Sequence, residues 1–96
     1  MNLSATHAVS VNPTTGEVVS SLPWSTEQQV DSAIALAQQA FRQWRHVAVT
    51  DRAAALRKVG SAMRARGEEL AQMISLEMGK PIAQARGEVS KSANLC

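Results

Sequence analysis

Apolar residues recur at helical spacing through most of this 96-residue chain, and the commonest of them is alanine. The clearest stripe is Val30, Ala33, Ile34, Ala37, Ala40, Phe41 and Trp44. Steps of three and one residue put all seven side chains on one side of a helix. Alanine forms helices well but buries little area. Sixteen alanines beside one Phe, two Trp and no Tyr predict a helical chain with a thin core. A chain of this length hides only about 60–65% of its unfolded surface. Small core side chains then leave it marginal alone, so it is expected to lean on further polypeptide.

Ahead of the first stripe the pattern is different. Residues 1–8 are small and polar and read as a flexible N-terminus. Two β-branched runs follow, Ala8-Val9-Ser10-Val11 and Val18-Val19-Ser20-Ser21-Leu22, flanking the turn residues Asn12-Pro13-Thr14-Thr15-Gly16. That pattern predicts a β-hairpin over 9–22. Pro13 presets φ, and Gly16 supplies a positive φ at low cost.

Helices are predicted over 26–96. Ser25 or Thr26 caps the first, with Gln28 and Gln29 at capping-box spacing. Thr50 is expected to cap the second, whose apolar face is Ala55, Leu56, Val59, Ala62 and Met63. Gly67 marks a joint to a third, carried by Leu70, Met73, Ile74 and Leu76. Gly79 fits a left-handed helix end, and Pro81 both stops that helix and suits the start of the next. Ile82, Ala85, Val89, Ser92 or Ala93, and Cys96 form the fourth stripe. No capping residue follows Leu95-Cys96 while that stripe still runs, which predicts a piece of a longer protein.

Several function classes fall away. Charged residues make up 19% of the chain, with a net charge of +2, too small an excess to imply a nucleic-acid or membrane partner by itself. One cysteine, Cys96, and two histidines, His7 and His46, exclude an internal disulfide and a four-ligand zinc site. No apolar run approaches the roughly 20 residues of a membrane span, and residues 1–10 do not read as a signal peptide. The expected setting is a reduced cytoplasm.

The chain offers little chemistry. Cys96 has no motif that brings a histidine to it, and reads as a core or terminal residue. His46 reads as a helix-end residue. Glu77 and Glu88 flank the Gly79-Lys80-Pro81 corner, with local hydrogen bonding as their expected role. The five glycines are scattered, and neither a P-loop nor Gly-x-Gly-x-x-Gly is present. We therefore assign no catalytic, cofactor-binding or metal residue. Arg52, Arg57, Lys58, Arg64 and Arg66 form a basic stretch over 52–66 without an intervening acid. A small helical module binding an anionic partner through it is the alternative reading, but no aromatic residue is interleaved for base stacking.

The order of short motifs resembles the opening of the aldehyde dehydrogenase superfamily. Asn12-Pro13-Thr14-Thr15-Gly16-Glu17, Val30-Asp31-Ser32-Ala33 with Ala40-Phe41 and Trp44, Arg52-Ala53 with Leu56-Arg57-Lys58, and Glu68-Glu69-Leu70-Ala71 appear in family order. Leu76-Glu77-Met78-Gly79-Lys80-Pro81 is the most distinctive match, and Ala85 with Glu88-Val89 continues it. The details are most similar to bacterial succinate-semialdehyde dehydrogenases. The resemblance implies an α/β parent fold with a Rossmann-like cofactor domain, a catalytic domain and an oligomerisation arm. Residues 9–96 would be an incomplete N-terminal part of the cofactor-binding domain, mostly α after a short hairpin. It also implies NAD or NADP as cofactor, an aldehyde substrate, a homo-oligomer, and neither a nucleic-acid nor a membrane partner. The family's cysteine nucleophile, general-base glutamate and cofactor glycine loop lie downstream of such a segment. The chain alone is thus expected to be inactive.

Overall fold

Asn12 turns the chain by accepting from its neighbours. Its carbonyl takes the Gly16 N–H at 2.8 Å and its side-chain oxygen takes the Thr14 N–H at 2.9 Å. Gly16 adopts φ 77°, the left-handed conformation that glycine enters without a Cβ clash. Around this turn, strands β1 (His7–Val11) and β2 (Val18–Pro23) pair antiparallel. Ser10 faces Ser20 and Val11 faces Val18, so Val19 is the extra residue of a β-bulge. The computed structural model describes residues 5–96. The expected flexible N-terminus falls partly outside that range, while β1 begins at His7, two residues before the expected start.

Four helices follow: α1 (Glu27–Trp44), α2 (Val49–Ala65), α3 (Gly67–Met78) and α4 (Ile82–Leu95). The chain is mostly helical after its hairpin, as the sequence predicts. A complete capping box opens α1. The Thr26 side chain accepts from Gln29 N–H at 3.1 Å, and the Gln29 side chain accepts from Thr26 N–H at 2.8 Å. Helix α2 departs from expectation. It starts at Val49 behind Ala48, with no side-chain cap, and Thr50 lies inside its first turn. The tight exit from α1 is the cause: Val47 N–H bonds back to Trp44 at 3.0 Å, and the Ala48 carbonyl already accepts from Asp51 and Arg52.

Packing is concentrated at one end. Helix α3 lies on α4, and α4 lies on α2. Ala71 and Ala85 are both 0% exposed and sit with Val89 in the core, flanked by Leu70 and Ile74. Alanines at the contact let the α3 and α4 backbones approach closely. Gly60 does the same for α2 and α4: a Cβ there would fall 2.9 Å from the Ala93 carbonyl oxygen and 3.1 Å from Cys96 Cβ. The stripe of α1, by contrast, is uncovered. Ile34 is 63%, Phe41 53% and Trp44 48% exposed, and α1 contributes no buried residue.

The described residues span 47 × 39 × 14 Å with a radius of gyration of 17.6 Å. A compact domain of this length has a radius near 13 Å. The short dimension is little more than one helix with its side chains, about 10–12 Å. The helices therefore form a single layer.

Candidate functional site at the α3–α4 corner

The corner between α3 and α4 is where distant parts of the sequence meet. Gly79 ends α3 at φ 68° and its N–H bonds to the Ser75 carbonyl at 2.9 Å. This is the left-handed helix end that the Gly-x-Pro spacing predicts. Pro81 then opens α4, and its carbonyl accepts from Ala85 N–H at 3.0 Å. The hairpin turn rests against this corner. A Cβ on Gly79 would fall 2.9 Å from Pro13 Cγ, so glycine is required there by conformation and by space together. Ser10 Oγ donates to Glu77 Oε1 at 2.9 Å, joining β1 to the last turn of α3. Lys80 Nζ pairs with the Glu88 carboxylate.

Both carboxylates singled out in the sequence are thus engaged, each with its own partner. Glu77 accepts from a neutral hydroxyl and Glu88 from an ammonium group. Ser10–Glu77 fastens the hairpin to α3, Lys80–Glu88 ties the corner to α4, and both carboxylates line one groove between α2, α3 and α4.

Two further carboxylates clamp the layer. Arg86 on α4 forms a bidentate pair with Glu68 on α3, at 2.8 and 3.0 Å. Arg66 makes the same fork with Glu69 at 2.7 and 3.0 Å. The hydrogen bond from each guanidinium holds its glutamate below the usual carboxylate range, and each arginine is raised in return.

The remaining sequence candidates scatter. Cys96 is half-buried at the α2–α4 crossing beside Gly60. His7 Nδ1 meets the Thr6 hydroxyl at 2.8 Å, and His46 Nε2 meets Arg45 at 3.3 Å, each a chain neighbour. The basic stretch does not make a basic face. At about 100° per residue, Arg52, Lys58 and Arg64 point in different directions around the helix. Arg64 is also bonded to Asn94, and Arg66 to Glu69. Arg57 and Arg64, seven residues apart, share one side of α2, and the other cations of the stretch are spread around it. Among the described residues no group of three or more His, Cys, Asp or Glu is placed to hold a metal ion, and no helix is long and apolar enough to cross a membrane.

A dinucleotide cofactor needs backbone N–H groups opened by glycines at a helix N-terminus. The two left-handed glycines here sit in the hairpin turn and at the end of α3, and Pro13 fills the space over the second. Among the described residues, neither left-handed glycine opens a helix N-terminus.

One feature escaped the sequence reading. An open groove of about 610 Å³ runs between α2, α3 and α4, lined by apolar side chains such as Met63, Leu70, Met73 and Ile74 and rimmed by Glu77, Glu88 and Lys91. The helical stripes name most of these residues singly. That they share one uncovered concave face depends on Ala71 and Ala85 drawing α3 against α4, and Ala71 was not among the expected core residues.

The sequence matches the aldehyde dehydrogenase family over residues 2–96, and the chain belongs to that family. It is 58% identical over 92 residues to the NAD(P)+ succinate semialdehyde dehydrogenase of Escherichia coli K12, covering 96% of this chain and 20% of that protein. It is 44% identical over 81 residues to a malonate-semialdehyde dehydrogenase of Listeria monocytogenes, covering 84% of this chain and 17% of that one. Its fold superposes on the crystal structure of an NAD-dependent aldehyde dehydrogenase from Sinorhizobium meliloti with a TM-score of 0.86 and 41% identity, over 96% of this chain and 19% of that chain. An E. coli NADP-dependent enzyme aligns with a TM-score of 0.85 and 32% identity, over 94% and 19%. The chain thus spans about a fifth of the length of these relatives.

Proposed function

We propose that this chain is the structural N-terminal segment of an aldehyde dehydrogenase that oxidises succinate semialdehyde to the dicarboxylic acid with NAD or NADP. The observation that carries the reading is the 58% identity to the E. coli succinate semialdehyde dehydrogenase across nearly the whole chain. In this reading residues 9–96 are the first part of the cofactor-binding domain. They contribute no catalytic, cofactor-binding or metal residue and serve as packing surface. The parent enzyme works in the cytoplasm as a homo-oligomer.

The physical form of the chain supports a packing role. A single layer leaves the stripe on α1 and the apolar part of the groove across α2–α4 exposed, with Ile34 at 63% and Phe41 at 53%, the kind of surface that marks an interaction site when contiguous. Arg52 Nε and Ser75 Oγ are buried with no hydrogen-bond partner among the described residues. Buried polar atoms are nearly always paired with protein or ordered water, and further polypeptide over this face would supply such partners.

The test is to read the coding region in frame past the codon for Cys96. The expected result is several hundred further codons that include a glycine-rich turn and a later cysteine nucleophile. An immediate stop codon would overturn the reading. Nicotinamide reduction by the 96-residue chain itself, with succinate semialdehyde, would equally overturn the assignment of no catalytic residue to it.

A further inference from the structure

We draw no further inference here: the strongest candidate, the open apolar groove between α2, α3 and α4, belongs to the packing surface already described, and nothing in the structure shows which segment covers it.

Discussion

Helix α1 and the α3–α4 pair divide the work of folding differently. Helix α1 has the stronger local signals: a full capping box, Glu27 in its first turn and Arg42 in its last. Helices α3 and α4 have no side-chain cap at their starts. Yet α3 and α4 hold the core, and α1 buries nothing. The capping box satisfies the Thr26 and Gln29 N–H groups and first-turn charge favours the helix dipole, but neither supplies a surface to pack on. Helix α1 is a helix by its own sequence; α3 and α4 are stabilised by each other. Most helical stability in proteins comes from tertiary packing of an apolar face, and the α1 face has no such cover among the described residues. In the 96-residue chain, then, α1 amides should exchange with solvent much faster than those of α4, by about tenfold or more for each 1.4 kcal/mol of packing.

The largest effect that tests this comparison comes from charge placed in each region. Val89→Asp puts a carboxylate into the α3–α4 core beside Ala71 and Ala85. An uncompensated buried charge costs about 3–5 kcal/mol, enough to release α3 from α4. Circular dichroism should show loss of helix, and hydrogen exchange should localise it to α3 and α4. Ile34→Asp, on the uncovered stripe of α1, should change stability by less than about 0.5 kcal/mol. Equal losses from the two variants would break the comparison. In a longer parent that covers α1, Ile34→Asp should become costly as well.

A smaller effect is expected at the corner. Gly79→Ala places a Cβ at φ 68° and 2.9 Å from Pro13 Cγ. The left-handed conformation alone costs about 1–2 kcal/mol for a residue other than glycine. The collision with Pro13 should also lift the hairpin, so β1 and β2 amides should lose protection before those of α4. Unchanged protection in β1 and β2 would show that the turn is not held by the corner.

How much of this was legible in the sequence follows from the range of each interaction. The capping box of Thr26 and Gln29, the Gly16 turn and the Gly79-Pro81 corner are contacts within a few residues, and spacing alone places them. The start of α2 was misplaced because Thr50 satisfies the capping pattern, while the backbone leaving Trp44 had already closed the turn at Ala48. Ala71 lies outside the expected α3 face, which runs through the large residues Leu70, Met73, Ile74 and Leu76, although it stands three residues before Ile74 and is fully buried. On α4, by contrast, Ala85, Val89 and Ala93 recur every four residues, and the expected stripe contains the residues that are buried. The joining of Ser10 to Glu77 spans 67 residues, and no local rule reaches so far. The exposure of α1 also lay beyond sequence, since a stripe specifies a face but not what covers it.

Within α1, Thr26→Ala removes the side-chain half of the capping box and should cost about 1 kcal/mol of helix stability. Because α1 stands without tertiary support, the loss should appear as fraying of its first turn, with α3 and α4 unchanged. Nuclear magnetic resonance shifts of Glu27 to Val30 would report it. A loss spreading into α4 would show that α1 is coupled to the core after all.

The smallest effect is that of acid on the Arg86–Glu68 pair, which bridges the two packed helices. Hydrogen bonding to Arg86 holds the Glu68 carboxyl below its ordinary value, so the folded form binds its proton less readily than the unfolded form does. The stabilisation from the pair is therefore complete above the ordinary glutamate range, about pH 4.3. It is lost as pH falls through the lowered value of the folded state. Both side chains are 55% exposed, so solvent screens the pair and the loss should be slight. Protection of α4 amides should fall modestly below about pH 4, and roughly 1 M salt should blunt the change by shrinking the screening length to about 3 Å. Glu68→Gln should remove most of this acid dependence in α4. It should leave Arg66–Glu69 intact, because that pair joins residues three apart at the α2–α3 joint. An α4 that stays equally acid-sensitive in Glu68→Gln would place the titrating group elsewhere, and would leave Ala71, Ala85 and Val89 as the whole source of the difference between α1 and the packed pair.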